Sequence, residues 1–220
     1  MTQRVGFFNY TYYVQNTGSF GGSYVDTSAY PASGCSSSET PGACLTDAQI
    51  QAEIWKVMAL KGWTGGLNKM FFLYTSSGEG SCAGSGCAYS NYCAYHSYFY
   101  SGSTPVIYGN EPYADSRCQA WYARSPNGDP AADAAASVTS HELTEAITDP
   151  LLNAWYSGSG EEIGDLCAWN YGTNTWDGGN ANQSWFENIT PFIVGISPIG
   201  FFELQQEYDN HVAACVQLGP

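Results

Sequence analysis

The chain has 220 residues and a formal net charge of −14, and 44% of its residues are hydrophobic. That length and composition fit one globular domain, so we expect residues 1–220 to form a single unit. No apolar run approaches the ~20 residues that a membrane span requires, which excludes a transmembrane helix. The net negative charge would repel a phosphate backbone, which argues against a nucleic-acid partner.

The charge is unevenly placed along the chain. All six Lys and Arg lie at or before Arg124, whereas residues 125–220 contain 13 Asp and Glu. Such an acidic half attracts cations, so a metal ion or a basic substrate is a reasonable partner. The alternative is that these carboxylates only keep the protein soluble.

The elements predicted from the pattern mix strands and helices. In chain order they are an aromatic-rich strand over 5–14, a loop over 15–46, a helix over 47–61, a short buried strand over 70–75, a Gly/Ser loop over 76–92, strands over 93–100 and 105–109, a helix over about 131–147, mostly loop over 150–200, and a short helix or strand over 201–211. Thr46 and Gly62 are suited to begin and end the first helix. Asp129 and Pro150 are suited to bound the second.

The cysteines indicate an oxidising compartment. There are eight, spread along the whole chain, with no paired C-x-x-C zinc pattern. An even count of this kind suits a disulfide framework, and we predict sequential pairing: Cys35 with Cys44, Cys82 with Cys87, Cys93 with Cys118 and Cys167 with Cys215. The chain opens without the apolar stretch of a signal peptide. Because disulfides persist mainly outside the cytosol, we expect a secreted protein whose signal peptide is absent from this chain; a reduced cytosolic chain is the alternative.

The second helix carries an H-E-x-x-E pattern formed by His141, Glu142 and Glu145. Residues four apart share a helical face, so His141 and Glu145 can bind one ion together. Glu142 lies one step round the helix, where it can act on a water molecule. The pattern is the H-E-x-x-H metalloprotease motif with glutamate in place of the second histidine. The alternative is an acidic helix end that simply faces water.

A third ligand is expected from the acidic segment 160–167. Glu162 and Asp165 are three residues apart, so one helical turn places both on one side. One would bind the ion and the other would hold His141 in place, and the sequence leaves open which does which. His96, on a predicted strand, is a lesser ligand candidate, because a lone histidine is more often structural.

These stretches resemble the phosphate-induced/Exordium-like family of plants and microbes. The resemblance rests on the segment from S-P-N-G-D-P through S-H-E-L-T-E-A-I-T-D-P, on N-A-W-Y at 153–156, on the run from Glu162 to Cys167, and on C-A-Y-H ending at His96. It implies an extracellular protein. Plant members have asparagine where this chain has Asp149, which implies that Asp149 is not an essential ligand.

The sequence therefore predicts a disulfide-stabilised α+β domain resembling zincin metalloproteases, in which a twisted mixed sheet packs on the active-site helix. The predicted ligands are His141, Glu145, Glu162 and Asp165, with Glu142 as general base. Zinc is the expected metal, with calcium or manganese as alternatives. The leading prediction is a secreted hydrolase acting on peptides or proteins, particularly basic ones. The alternative is a non-enzymatic extracellular protein that binds cell-wall polysaccharide and holds a structural metal.

Overall fold

A computed structural model describes residues 18–119, 125, 128–172 and 203–216, together with the backbone of four short strands at 2–4, 11–13, 183–184 and 201–202. The elements are β1 (Thr2–Arg4), β2 (Thr11–Tyr13), β3 (Cys44–Thr46), α1 (Asp47–Lys61), β4 (Met70–Tyr74), β5 (Gly80–Ala83), β6 (Gly86–Cys87), β7 (Tyr95–Ser101), β8 (Thr104–Glu111), α2 (Pro130–Thr148), a 3₁₀ helix (Asp165–Cys167), β9 (Gln183–Ser184), β10 (Phe201–Phe202), β11 (Glu207–Asp209) and β12 (Ala214–Val216).

Both predicted helices are confirmed. At the start of α1, the Thr46 hydroxyl accepts from the Gln49 backbone N–H and the Gln49 side chain accepts from the Thr46 N–H, which forms a capping box. Gly62 ends that helix in the left-handed conformation, with φ of 68°. At the start of α2, the Asp129 side chain accepts from the backbone N–H of Ala132.

The central sheet lies between the two helices. Its order is β4-β8-β7, with β8 parallel to β4 and antiparallel to β7. Val106 and Tyr108 of β8 pack in one buried cluster with Ile50 of α1. Side chains alternate along a strand, so Gly109 and Glu111 face the opposite side, toward α2. The predicted sheet packed on both helices is therefore confirmed, with one helix on each face.

Two tyrosines join the sheet to the first turn of α1. The Tyr95 hydroxyl donates to the Asp47 carboxylate at 2.6 Å, and the Tyr108 hydroxyl donates to the same oxygen. Burial raises the pKa of Tyr95, and the hydrogen bond to Asp47 raises it further. These bonds hold β7 and β8 in register against the helix.

Some predicted elements need correction. The sequence predicts a loop over 76–92, but this stretch contains β5 and β6, because β5 pairs in parallel with β3 to form a second small sheet. The 201–211 stretch contains strands β10 and β11, which selects the strand alternative. β2 lies within the predicted strand over 5–14, and the remaining residues of that prediction lie outside the described part of the chain, as does 173–200 apart from β9.

All four predicted disulfides are present. The bond between Cys167 and Cys215 has the largest consequence for the site, because it fastens the β11–β12 hairpin to the 3₁₀ helix. The described residues thus form a disulfide-stabilised α+β structure, while the zincin-like identity stays a prediction. In the part of the chain described, neither α-helix has the length and apolar character that crossing a bilayer requires.

Candidate metal centre

His141, Glu145 and Asp165 converge where α2 meets the 3₁₀ helix. The Nε2 atom of His141 lies 3.1 Å from Glu145 Oε1 and 3.8 Å from Asp165 Oδ1. One ligand atom from each of the three residues lies within 4.8 Å of the other two. The separations of 3.1 and 3.8 Å from Nε2 are within the ~4.4 Å that two ligand atoms of one zinc ion can be apart, given bonds of about 2.0–2.2 Å.

The structure places Glu162 apart from that group. Glu162 joins His96 and Glu145 in a separate set of three ligand atoms within 4.8 Å of one another. Its Oε1 atom lies 3.8 Å from Nε2 of His96. The four predicted ligands are therefore brought together around Glu145, but Asp165 is on the His141 side and Glu162 is on the His96 side.

The proposed base, Glu142, lines a cavity of about 350 Å³ together with His141 and Asp165. Four aromatic residues contribute to the other walls: Tyr89, Tyr92, Trp169 and Tyr171. Burial raises the pKa of the Glu142 carboxyl, and a contact with His96 partly offsets that rise. The cavity gives a small molecule or a peptide segment a way to reach both the histidine and the carboxylate.

Burial and opposite charge compete at the two histidines. Burial lowers the pKa of His141, but Glu145 and Glu142 outweigh it and raise that pKa to about 10. For Glu145, burial raises the pKa, whereas the contacts with His141 and His96 lower it to about 2. The site is thus built to hold positive charge between carboxylates, whether that charge is a proton on imidazole or a metal ion.

The pKa values of other carboxyl groups around the cluster are raised to neutral pH or above. Burial, followed by repulsion from Glu145, raises the pKa of Glu162 to about 8. Burial raises the pKa of Glu207 to about 8 and that of Glu111 well above its ordinary value. Among the described residues, no Lys or Arg forms an ion pair with any of these groups. At neutral pH these carboxyl groups are therefore largely protonated, and a bound cation would displace their protons and favour the charged form.

Sequence reasoning missed Gln205, which holds His141 in place. The Gln205 amide nitrogen lies 2.8 Å from Nδ1 of His141, and it donates to the Gly164 carbonyl at 2.8 Å. The orientation of the amide is fixed, because its oxygen accepts from the backbone N–H of Trp169 at 3.1 Å. Its N–H therefore faces Nδ1 of His141, and Nε2 of the ring is left directed at Glu145. The sequence contained one signal for Gln205: polar residues stand at every second position, at Glu203, Gln205, Glu207 and Asp209. In the structure all four are buried.

Asp149 has a structural role that the sequence did not reveal. Its Oδ1 accepts from the backbone N–H groups of Asn153 and Ala154, at 2.6 and 2.7 Å. It therefore closes the turn after α2 and directs the chain toward the acidic segment. The expectation that Asp149 is not an essential ligand stays a prediction.

Gly164 offers a test of the site that removes no functional group. A Cβ at this position would lie 2.8 Å from both Glu145 Oε1 and His141 Nδ1. We expect Gly164→Ala to lower zinc affinity at least tenfold, because the methyl group displaces two ligands. Isothermal titration calorimetry would measure the loss. Gly158→Ala is the matched control, since a Cβ there meets nothing within 4 Å. Equal zinc affinity in the two variants would contradict this ligand geometry.

The fold and the site together define a disulfide-stabilised α+β protein with a buried cluster of histidines and carboxylates. The chain belongs to the phosphate-induced protein 1 family: the model of the "Phosphate-induced protein 1 conserved region" matches residues 68–190, which is more than half of the chain. The resemblance expected from the sequence is thereby confirmed. The matched region includes β4, β7, β8 and α2, with His96, the H-E-x-x-E residues and the acidic segment.

Two plant proteins from Arabidopsis thaliana share a shorter segment with the chain. Protein EXORDIUM-like 5 is 48% identical over 54 residues, which cover 23% of this chain and 15% of that protein. Protein EXORDIUM-like 3 is 50% identical over 54 residues, which cover 23% of this chain and 16% of that protein. The similarity thus spans less than a fifth of either relative. No solved structure matches the chain.

Proposed function

We propose that this chain is a secreted, metal-dependent hydrolase that cleaves peptides, with zinc as the metal. The observation that carries the proposal is the set of ligand atoms from His141, Glu145 and Asp165, within 4.8 Å of one another beside a cavity that Glu142 also lines. When bound, a divalent cation polarises a carbonyl group and lowers the pKa of water. Four disulfides support export, because they are typical of oxidising compartments.

The side chains have distinct roles in this proposal. His141, Glu145 and Asp165 hold the cation, and Gln205 orients the imidazole. Glu142 takes a proton from the attacking water and passes it to the leaving amine. One imidazole and two carboxylates neutralise a dication almost fully, so we expect modest activity or an alkaline pH optimum.

The substrate side follows from charge and shape. The acidic half of the chain would attract basic peptides, and the aromatic walls of the cavity suit contacts with apolar side chains or sugar rings. A basic peptide is the substrate that we propose. Binding of cell-wall polysaccharide around a structural metal, without hydrolysis, is the competing outcome.

Replacement of Glu142 by glutamine tests the proposal. A mixed tryptic digest offered as substrate, followed by mass spectrometry, reports cleavage at any sequence that the protein accepts. We expect Glu142→Gln to reduce cleavage at least ~100-fold while bound zinc persists, because the change removes proton transfer and keeps the side-chain shape.

Glu161→Gln is the matched control, since Glu161 is an exposed carboxylate in the neighbouring acidic segment. Cleavage that survives in Glu142→Gln, or that resists removal of the metal, would contradict the proposed mechanism. Zinc binding with no cleavage of any peptide by the unmodified protein would favour the structural-metal outcome.

A further inference from the structure

The two oxygens of the Glu145 carboxylate face two different histidines. Oε1 lies 3.1 Å from Nε2 of His141, whereas Oε2 lies 3.6 Å from Nδ1 of His96. Asp165 completes the group on the His141 side, and Glu162 completes the group on the His96 side. A carboxylate that faces ligands on both sides is suited to bridge two cations, which lie about 3.5–4 Å apart in two-metal sites.

His96 has the orientation of a ligand. It is on β7 opposite Gly109 of β8, on the sheet face that packs against α2, and its side chain is only 2% exposed. Its Nε2 donates to the Asp149 carbonyl at 3.2 Å and lies 3.8 Å from Oε1 of Glu162. Its Nδ1 is directed at Glu142 and Glu145. Histidines that bind metals commonly donate their other N–H to a backbone carbonyl in this way.

The distances around Nδ1 suit a shared ion better than direct hydrogen bonds. Nδ1 lies 3.6 Å from an oxygen of Glu145, with which it would share the ion. It also lies 3.5 Å from an oxygen of Glu142, which keeps its role as general base. An N···O distance of 3.6 Å is too long for a hydrogen bond. Ligand atoms that surround one zinc ion tetrahedrally are about 3.3–3.6 Å apart, given bonds of about 2.0–2.2 Å.

Glu111 is another buried carboxylate beside the cluster. It is 2% exposed, and its Oε1 has no hydrogen-bond partner among the described residues. It shares a sheet face with Gly109, and a Cβ at Gly109 would lie 3.3 Å from that oxygen. The Glu111 carboxylate therefore folds back over the position opposite His96. Oε1 of Glu162 is likewise buried and accepts no hydrogen bond from the described part of the chain.

We propose that the protein binds a second divalent cation through His96 and Glu162, with Glu145 bridging it to the cation held by His141 and Asp165. The proposal rests on the proposed function only in sharing Glu145 with it, and it requires no hydrolysis. It also gives both residues of the acidic segment a ligand role, where the sequence predicts that one binds and the other braces. The structural alternative is that a protonated His96 serves as a fixed counter-ion for the surrounding carboxylates.

Counting zinc ions per chain distinguishes a second bound cation from a protonated His96. Native mass spectrometry of the full chain, stripped with chelator and titrated with zinc, is expected to show two ions. Glu162→Gln and His96→Gln are expected to retain one, and so is Asp165→Asn. Glu145→Gln is expected to lose the second ion and to bind the first at least tenfold more weakly. Circular dichroism of each variant confirms that the fold is retained.

Comparing the number of bound ions across the variants decides whether the second site exists. A single ion in the unmodified protein, unchanged in Glu162→Gln and His96→Gln, would overturn the second site and leave the proposed function standing. Two ions that persist in every variant would place both elsewhere and also overturn it. No bound zinc at all would overturn the second cation and the proposed zinc hydrolase together. Glu161→Gln, the exposed neighbour, should retain two ions.

Discussion

Saturating zinc is expected to raise the melting temperature of chelator-treated protein by roughly 8–16 °C. A ligand present at 1,000 times its Kd, and bound only by the folded state, stabilises that state by ~4 kcal/mol. For a chain of this size, each kcal/mol changes the melting temperature by about 2–4 °C. The gain is large because a cation gives a partner to buried carboxylate oxygens such as Oε1 of Glu162, which accepts no hydrogen bond from the described residues. Differential scanning calorimetry with intact disulfides would measure it.

Asp165→Asn is the informative comparison for that measurement. Asp165 is 49% exposed, so its loss should change the stability of the zinc-free protein by no more than ~0.5 kcal/mol. The same change removes a ligand of the cation beside His141 and should cut the zinc-induced gain by at least half. A gain as large as that of the unmodified protein would mean that zinc stabilises this fold from a different place.

The local elements could be predicted because their signals are local. Thr46 and Gly62 fix the ends of α1 through bonds to neighbouring residues. The i, i+4 spacing of His141 and Glu145 places both on one helix face before any tertiary contact exists. β5 and β6 escaped prediction because they are short and Gly-rich, and because the parallel pairing of β5 with β3 depends on a distant part of the chain.

The His96 side of the site could not be predicted, because it depends on the register of strands across the sheet. His96 reaches the cluster because it pairs with Gly109 and so faces α2, and the alternation within β7 alone does not reveal which face that is. Glu111 lies at the end of a buried strand and is nearly fully buried, but it belongs to no sequence motif that would have indicated this. The division of Glu162 and Asp165 between two histidines likewise depends on where the turn after Asp149 directs the chain. Such placements are set by packing rather than by sequence spacing.

The zinc-free protein is expected to be most stable near pH 4.5 and to lose stability as the pH rises. Burial raises the pKa of Glu162 and of Glu207 to about 8, above the ordinary value of 4.5. A raised pKa means that the folded state holds protons that the unfolded state releases, so stability falls between about pH 4.5 and 8. The pKa of His141, raised to about 10, contributes stability that is complete below pH 6.5 and lost through pH 10. Glu145 opposes this trend, because its pKa is lowered to about 2 and its contribution is lost below pH 4.5. The lowered pKa values of Asp26 and Asp115 act in the same direction.

Each unit of pKa difference corresponds to ~1.4 kcal/mol, so the zinc-free protein should lose roughly 3 kcal/mol or more between pH 5 and 8. Urea unfolding at a series of pH values would measure the slope.

Glu162→Gln connects this pH dependence to the cation sites. The change removes one carboxyl group with a raised pKa, so the zinc-free variant should be more stable than the unmodified protein at pH 8 and equal to it near pH 4.5. With zinc, the order of stability should reverse. The bound cation displaces the proton of Glu162 and is held more tightly by its carboxylate, which the variant lacks. The exposed Glu161→Gln should follow the unmodified protein in both series. If Glu162→Gln instead destabilises the zinc-free protein at pH 8, then Glu162 acts as an ion-pair partner of His96 in the folded chain, which contradicts the second cation site.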